Sequence, residues 1–218
     1  MHVHQNTVVV VTGASPLRLR AVAAIPADAV IVAADGGLDH ARAAGLAPGV
    51  LVGDLDSVTA ASLAWATEHA EVLRHPTDKD ATDTELAVAY AASLAPERLL
   101  LVAGGGDRID HAAAAIGALG APGLRGVPVV EAWWGDDELY VVPAPRDVIL
   151  PHRPGTTFSV LAMHGPCQGV TVTGARWPLT GVDLAPLVGV GVSNEVAEPP
   201  VTVSASSGTL TVIVPGGL

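Results

Sequence analysis

Strand-like and helix-like segments alternate in the stretch AVIVAADGGLDHARAAGLAPGVLVGDLDSVTAASLAWAT, which spans residues 29–67. Residues 29–32 and 50–52 are short runs rich in β-branched side chains. Each run precedes an alanine-rich segment in which apolar residues recur at helical spacing, at 38–44 and 58–67. This βαβα order predicts a mostly parallel sheet with helices packed on its faces.

The alternation extends through the first half of the chain and then stops. It predicts further strands at 7–11 and 99–102, and further helices at 17–24, 84–94 and 111–119. Beyond about residue 128 the helical pattern disappears, and short runs punctuated by Pro and Gly predict an antiparallel sandwich. These later strands are predicted at 139–142, 147–150, 158–163, 169–173, 201–204 and 209–214. We therefore expect an α/β domain over residues 1–128 and an all-β sandwich domain over residues 129–218.

The composition argues against several classes of protein. The formal net charge of −11 and the lack of a Lys/Arg run make nucleic acid an unexpected partner. A single cysteine, Cys167, allows no intramolecular disulfide and no cysteine-based zinc site. The N-terminal residues lack the pattern of a signal peptide, and the longest apolar stretch, 112–124, is too short to span a membrane. We expect a cytoplasmic protein.

Two acidic segments follow predicted strands. Asp54 and Asp56 point to the same face if the chain there is extended, roughly 7 Å apart, and could then share a hard cation. Alternatively, this segment is only a loop in which Asp56 or Ser57 caps the next helix. In the second segment, Thr82-x-x-Glu85 is typical of a capping box that opens a helix.

The segment before that capping box also suits phosphate. Lys79 and a helix N-terminus would bind phosphate oxygens, while Asp78, Asp80 and Asp83 would bind a bridging metal ion. Three acids exceed what a helix cap requires, so we favour the functional interpretation. The structural alternative makes Asp83 a first-turn acid that interacts favourably with the helix dipole.

A glycine-rich segment enters the last predicted helix of the first half. The three glycines at 104–106 would let backbone N–H groups approach an anion, and Arg108 offers a planar fork for phosphate. The alternative is an ordinary strand-to-helix turn with Asp110 as its cap and His111 as a partly buried helix residue.

In order and spacing, these segments resemble the thiamine pyrophosphokinase family. The matching motifs are Ala34-Asp35-Gly36-Gly37, Gly53-Asp54-Leu55-Asp56-Ser57, Lys79-Asp80-x-Thr82-Asp83-x-Glu85, Arg108-x-Asp110-His111, Gly174-Ala175-Arg176-Trp177-Pro178-Leu179 and Val192-Ser193-Asn194-Glu195. No single motif is decisive, but the ordered set covers nearly the whole chain.

The resemblance implies a Mg2+-dependent enzyme that moves pyrophosphate from ATP to the hydroxyl of thiamine. It implies an ATP-binding catalytic domain, a thiamine-binding sandwich, and a homodimer whose active site lies at the interface. The metal and catalytic carboxylates would be Asp54, Asp56 and Asp83, with Lys79 and Arg108 also catalytic. The nucleotide contacts would be Asp35, Gly36, Asp80, Thr82, Arg108, Asp110 and His111, and the thiamine contacts would be Trp177, Ser193 and Asn194.

Three residues depart from the family pattern: Leu55 where Phe is frequent, Asp107 where Gly is usual, and Ala115 where Asn is frequent.

Two other functions are compatible with parts of the pattern. One is a pyrophosphokinase that acts on another small alcohol such as a pterin, against which Trp177 and the Ser193-Asn194 pair argue. The other is a nucleotide or thiamine sensor without catalysis, which should lack some of the metal carboxylates.

Overall fold

The computed structural model describes residues 6–13, 15–106 and 108–216. The chain divides into two compact units, Met1–Asp136 and Asp137–Leu218. The predicted boundary lies between residues 128 and 129, whereas this division leaves the strand Val129–Trp134 in the first unit.

The first unit is built on six parallel strands. In space they follow the order β6-β5-β1-β2-β3-β4, and every pairing between neighbours is parallel. The strands are β1 (Thr7–Thr12), β2 (Val30–Ala34), β3 (Val50–Gly53), β4 (Glu71–Arg74), β5 (Arg98–Ala103) and β6 (Val129–Trp134). The parallel sheet predicted from the alternation is confirmed.

Helices connect these strands. They are α1 (Leu19–Ala23), α2 (Gly37–Ala43), α3 (Ala60–His69), α4 (Asp83–Ser93) and α5 (Ile109–Ala118), with a 3-10 turn at Pro122–Leu124. Each of the five helices lies within or beside a segment predicted to be helical. The helix α4 packs on β1, β2 and β3, so its N-terminus lies near the carboxyl ends of these strands.

The centre of this sheet is buried on both faces. Val8, Val9, Val10 and Val11 of β1 are fully buried, as are residues 99–102 of β5. Covering both faces with helices requires such continuous apolar strands, and that is why these two runs show no polar alternation.

Two strands of the first unit were not predicted. Residues 71–74 form the edge strand β4, whose two terminal residues are charged and exposed. Residues 129–134 form β6, which carries the adjacent Trp133 and Trp134. Trp133 packs against the cluster around Val9 and Leu100.

Two of the alternative helix caps are wrong. Thr59, not Asp56 or Ser57, caps α3, because its side chain accepts a hydrogen bond from the backbone N–H of Ser62. Asp110 lies inside the first turn of α5, and the residue at the cap position is Arg108. The capping box of Thr82 and Glu85 at the start of α4 is confirmed in both of its hydrogen bonds.

The second unit is an antiparallel sandwich, as predicted. One set of strands follows the order β12-β9-β14-β7 and the other β11-β10-β13-β8. Phe158, Val172, Val203 and Val212 come from both sets and share one buried core. The strands are β7 (Asp137–Pro143), β8 (Asp147–Leu150), β9 (Thr157–Leu161), β10 (Cys167–Thr173), β11 (Leu179–Leu184), β12 (Asn194–Glu195), β13 (Val201–Ser204) and β14 (Thr209–Val214).

The strands β11 and β12 were not predicted. Most of β11 is not buried, and Gly181 interrupts it at a positive φ of 65°. The strand β12 is only two residues long. Neither therefore carries the alternating apolar pattern by which the other strands were identified.

Among the described residues, no helix combines the length and apolar character needed to cross a membrane.

Candidate active site

Three carboxylates converge at the carboxyl ends of β2 and β3. Asp35 directly follows β2, Asp54 directly follows β3, and Asp83 is the first residue of α4. One carboxylate oxygen from each lies within 4.8 Å of the others. The predicted edge of the sheet is therefore acidic, and Asp35, predicted as a nucleotide contact, joins the carboxylates predicted to bind metal.

Backbone conformation brings Asp35 into this group. Its φ of 45° turns the chain sharply at the end of β2, and its N–H donates to the carbonyl of Val52 at 2.9 Å. A single hydrogen bond thus ties the residue after β2 to the neighbouring strand β3.

Gly53 allows the carboxylates to approach the end of β3. Its φ is 150°, and a Cβ added there would lie 3.1 Å from Cβ of Asp35 and 3.1 Å from Cγ of Asp83. Such contacts are tighter than most Cβ atoms make. Glycine is thus required both by the backbone conformation and by the space that the acids occupy.

Lys79 lies among these acids and is the only lysine in the sequence. Its Nζ donates to Oδ2 of Asp54 at 2.8 Å and lies 3.1 Å from Oδ1 of Asp83. The hydrogen bond from Lys79 lowers the pKa of Asp54, and the same bond raises the pKa of Lys79. Both groups therefore stay charged at neutral pH.

Asp35 has a different environment. Burial raises the pKa of its carboxyl group, although the hydrogen bond from the backbone of Gly36 acts in the opposite direction. Its Oδ1 atom is buried and has no hydrogen-bond partner among the described residues. A buried carboxylate oxygen without a partner is costly unless something binds it.

The donor set suits a hard divalent cation. Mg2+ prefers carboxylate oxygens, and Asp35, Asp54 and Asp83 offer three in one cluster. The unpartnered Oδ1 of Asp35 points to the same conclusion. The residues present therefore fit the metal ion that the resemblance implies.

A cavity of about 370 Å3 opens beside the carboxylates at the N-terminus of α4. Thr12, at the end of β1, shares a 2.7 Å hydrogen bond with Thr84 in the first turn of α4, which ties this helix to the sheet. The predicted site residues that line the cavity are Asp35, Gly36, Lys79, Asp80, Thr82, Asp83 and His111.

Asp56 lies outside the three-carboxylate cluster. The chain between Asp54 and Asp56 is not extended, because Leu55 has a φ of 70°, so the expected same-face geometry is wrong. The backbone N–H of Asp56 donates to Oδ1 of Asp54 at 3.3 Å, and its carboxylate accepts from the hydroxyl of Ser57 at 2.9 Å.

Arg108 and Asp110 form an exposed ion pair. The guanidinium group lowers the pKa of Asp110 to about 2. In the described residues this pair, rather than a free guanidinium fork, stands at the start of α5. The departure at Asp107 lies outside the described residues.

Trp177 lies on the surface of the second unit. It is 54% exposed and is therefore not part of the sandwich core. The guanidinium of Arg176 lies 4.8 Å from the centre of its indole ring and also contacts Glu195 at 3.3 Å. The neighbouring Ser193 has a positive φ of 57° and its N–H donates to the hydroxyl of Ser159.

Thr12, Ser57 and Thr84 also line the cavity, although none of the three was predicted as a site residue. A usable signal was present for Thr12, because it is a polar residue that follows four consecutive valines at the carboxyl end of a strand.

Two family models match successive parts of the chain. The thiamin pyrophosphokinase catalytic domain matches residues 23–129, and the thiamin pyrophosphokinase vitamin B1 binding domain matches residues 147–210. The chain belongs to the thiamin pyrophosphokinase family, a family of enzymes. The predicted family is confirmed, and the two models follow each other in the same order as the α/β unit and the sandwich.

Solved structures support the fold over nearly the full length. The chain is similar to a thiamine pyrophosphokinase from Bacillus subtilis, with a TM-score of 0.83, 22% identity, and coverage of 98% of this chain and 100% of that one. It is also similar to a thiamin pyrophosphokinase family protein from Enterococcus faecalis, with a TM-score of 0.78, 25% identity, and coverage of 96% and 98%. The yeast thiamin pyrophosphokinase matches with a TM-score of 0.75, 12% identity, and coverage of 98% and 88%. No match was found among curated proteins.

Proposed function

We propose that this protein transfers a pyrophosphoryl group from ATP to the hydroxyl of thiamine, yielding thiamine diphosphate and AMP, and that it requires Mg2+. The observation that carries the proposal is the convergence of Asp35, Asp54 and Asp83 with the ammonium of Lys79 beside a cavity. Membership of the thiamin pyrophosphokinase family supports this choice of reaction over other phosphoryl transfers.

Asp35, Asp54 and Asp83 would hold the metal ion. Bound Mg2+ would neutralise charge on the phosphate oxygens of ATP. The resemblance adds Asp56, and its position two residues after Asp54 would allow an interaction with the outer coordination sphere.

The remaining charged groups would position the phosphates. Lys79 and the backbone N–H groups at the start of α4 would bind phosphate oxygens, with Thr82, Asp80 and Gly36 lining the same cavity. Arg108 would stabilise the charge of the leaving group if its ion pair with Asp110 broke and its guanidinium group contacted the phosphate. His111, which lines the cavity, would contact the nucleotide.

The reaction itself is a displacement at phosphorus. The hydroxyl oxygen of thiamine attacks the β-phosphorus of ATP, and the bond to the oxygen that bridges the α- and β-phosphates breaks. AMP leaves with the electron pair of that bond, and the hydroxyl proton passes to a carboxylate of the site. Most of the catalysis then comes from positioning and from neutralising charge.

Trp177 is proposed to stack on the aromatic part of thiamine. It is exposed, and one face of its indole already contacts Arg176, which leaves the other face for a ligand ring. Stacking of this kind contributes on the order of 1 kcal/mol beyond area burial. Ser193 would contribute its hydroxyl to the same subsite, whereas Asn194, also predicted as a thiamine contact, is buried and bonds the backbone of Trp177.

We further propose a homodimer in which the thiamine site of one protomer is completed by Trp177 of the partner subunit. The second unit carries exposed aliphatic residues, Leu187, Val190 and Val192, that a second copy could cover.

Cytoplasmic location also stays a prediction, consistent with the single free cysteine, Cys167.

The reaction is tested by supplying ATP, Mg2+ and thiamine and measuring AMP and thiamine diphosphate. Product should require both Mg2+ and thiamine, and Asp54→Asn should serve as the inactive control. A parallel assay with a hydroxymethyl pterin in place of thiamine tests the alternative acceptor. Turnover with the pterin and none with thiamine would overturn the proposal.

The dimer is tested by mixing Asp54→Asn, which should be inactive, with Trp177→Ala, which should bind thiamine weakly, at a thiamine concentration well below the KM of Trp177→Ala. Asp54→Asn and Trp177→Ala should together restore part of the activity, because one composite site of the mixed dimer is intact. The matched control mixes Asp54→Asn with Asp83→Asn, which should restore none because both changes affect the same part of the site. Mass spectrometry confirms subunit exchange, and exchange without recovered activity would place the thiamine site within one subunit.

A further inference from the structure

The side-chain amide of Asn194 forms hydrogen bonds with backbone groups of the protein. Its Oδ1 accepts hydrogen bonds from the backbone N–H of Trp177 at 3.1 Å and of Glu195 at 2.9 Å. Its Nδ2 donates to the carbonyl of Trp177 at 2.7 Å. Both lone pairs of the amide oxygen are therefore occupied, and one of the two amide hydrogens is also used.

Burial separates Asn194 from solvent. The residue is 5% exposed, whereas Trp177, to which it is bound, is 54% exposed. A ligand that reaches the indole of Trp177 therefore meets a side chain on the surface, while the amide of Asn194 lies beneath it. The orientation of the amide is determined by its partners, because Oδ1 faces two N–H donors and Nδ2 faces a carbonyl.

A second set of contacts from β12 supports the same tryptophan. The backbone N–H of Arg176 donates to the carbonyl of Glu195 at 2.8 Å. The guanidinium of Arg176 lies over the indole of Trp177 and contacts the carboxylate of Glu195. Asn194 thus holds the backbone of Trp177, and Glu195 holds the arginine that covers one face of its ring.

We infer that Asn194 is a positioning residue that acts on the acceptor substrate through Trp177. The inference rests on the proposed function, in which Trp177 stacks on an aromatic, cationic acceptor. The two hydrogen bonds to the backbone of Trp177 limit the conformations of an otherwise exposed residue, so that the free face of its indole is presented to the ligand. Preorganisation of this kind lowers the entropic cost of binding.

The kinetic test is a double-mutant cycle of Asn194→Ala and Trp177→Ala. Asn194→Ala should raise the KM for thiamine about fivefold and leave the KM for ATP within about twofold of the original value. In the Trp177→Ala background, the same substitution should change the KM for thiamine less than about twofold, because the residue through which it acts is gone. Multiplicative effects of the two substitutions would overturn the inference.

The second test does not depend on activity. The protein has four tryptophans, and the indole N–H signal of Trp177 in a 15N–1H spectrum can be assigned by its loss in Trp177→Phe. In Asn194→Ala this signal should shift or broaden, while the signals of Trp65, Trp133 and Trp134 stay in place. An unchanged Trp177 signal would overturn the inference even if thiamine turnover were never observed.

A matched control separates positioning from general destabilisation. Gln168→Ala removes another polar side chain of the second unit, which accepts a hydrogen bond from Ser207. It should change neither the KM for thiamine nor the Trp177 signal. If the proposed function fails, no variant will show thiamine-dependent turnover, and the spectrum alone then decides whether Asn194 positions Trp177. Asn194→Ala could instead shift all four indole signals, lower kcat and raise the KM for ATP as much as the KM for thiamine. Its role would then be only structural, and the inference would be wrong.

Discussion

The Nζ atom of Lys79 lies 2.8 Å from Oδ2 of Asp54, at the end of the strand that carries the proposed metal site. The same ammonium lies 3.1 Å from Oδ1 of Asp83. The only lysine of the chain therefore supplies positive charge to two carboxylates that would otherwise repel each other.

Removal of that ammonium should make stability depend on the metal ion. Without divalent cations, Lys79→Met should lower the melting temperature by on the order of 3 °C, since two close carboxylates lose their shared partner. Added Mg2+ should restore most of the loss. Thermal melts with EDTA and with Mg2+ test this, and Arg74→Met, which removes an exposed charge on β4, is the control. Equal losses with and without Mg2+ would contradict it.

Asp35 and Asp56 should differ in their effect on turnover. Asp35→Asn removes a member of the three-carboxylate cluster and should lower kcat by about 100-fold. Asp56→Asn should lower it by less than about tenfold, because its carboxylate bonds Ser57 outside the cluster. Turnover should be measured together with Mg2+ binding by calorimetry. Equal losses of kcat in Asp35→Asn and Asp56→Asn would mean that Asp56 also becomes a metal ligand.

A methyl group at position 53 should disturb the acids. Gly53→Ala forces a non-glycine residue to a φ of 150° and brings its Cβ to 3.1 Å from the Asp35 and Asp83 side chains. We expect a loss of stability on the order of 1–3 kcal/mol and weaker binding of Mg2+. Urea denaturation and calorimetry measure the two effects. Gly49→Ala, where an added Cβ meets nothing within 4 Å, should leave Mg2+ binding unchanged.

The second unit should lose stability in mild acid through His164. Burial lowers the pKa of this histidine, whose Nε2 lies 3.0 Å from the hydroxyl of the buried Thr211. The unfolded chain, with an ordinary histidine pKa near 6.5, then takes up a proton before the folded chain does. Protonation therefore favours unfolding, and stability falls as the pH drops from about 6.5 toward the lower folded-state pKa.

This pH dependence can be isolated by substitution. The decrease in the free energy of unfolding between pH 7 and pH 5 should be smaller in His164→Gln than in the original protein. The exposed His69 is the matched control, and His69→Gln should retain the original slope. Identical slopes in the original protein and in His164→Gln would show that another group accounts for the acid sensitivity.

Local patterns made much of the fold predictable. The alternation of β-branched runs and alanine-rich segments predicted the parallel sheet, because both periodicities arise within a few residues. The capping box of Thr82 and Glu85 was predicted for the same reason, since its two hydrogen bonds join residues of one helical turn. The edge strand β4 and the two-residue strand β12 were missed because neither carries an apolar pattern long enough to identify a strand.

The sequence by itself thus determined the order of the helices and of most strands, the family, and the end of the sheet at which acids collect. Only the tertiary structure decided which acids meet: it brings Asp35 to Asp54 and Asp83, and leaves Asp56 aside because Leu55 turns the chain. It likewise decided that the amide of Asn194 binds the backbone of Trp177. Such contacts join residues far apart in the chain, and their geometry depends on backbone dihedral angles and packing that no local pattern encodes.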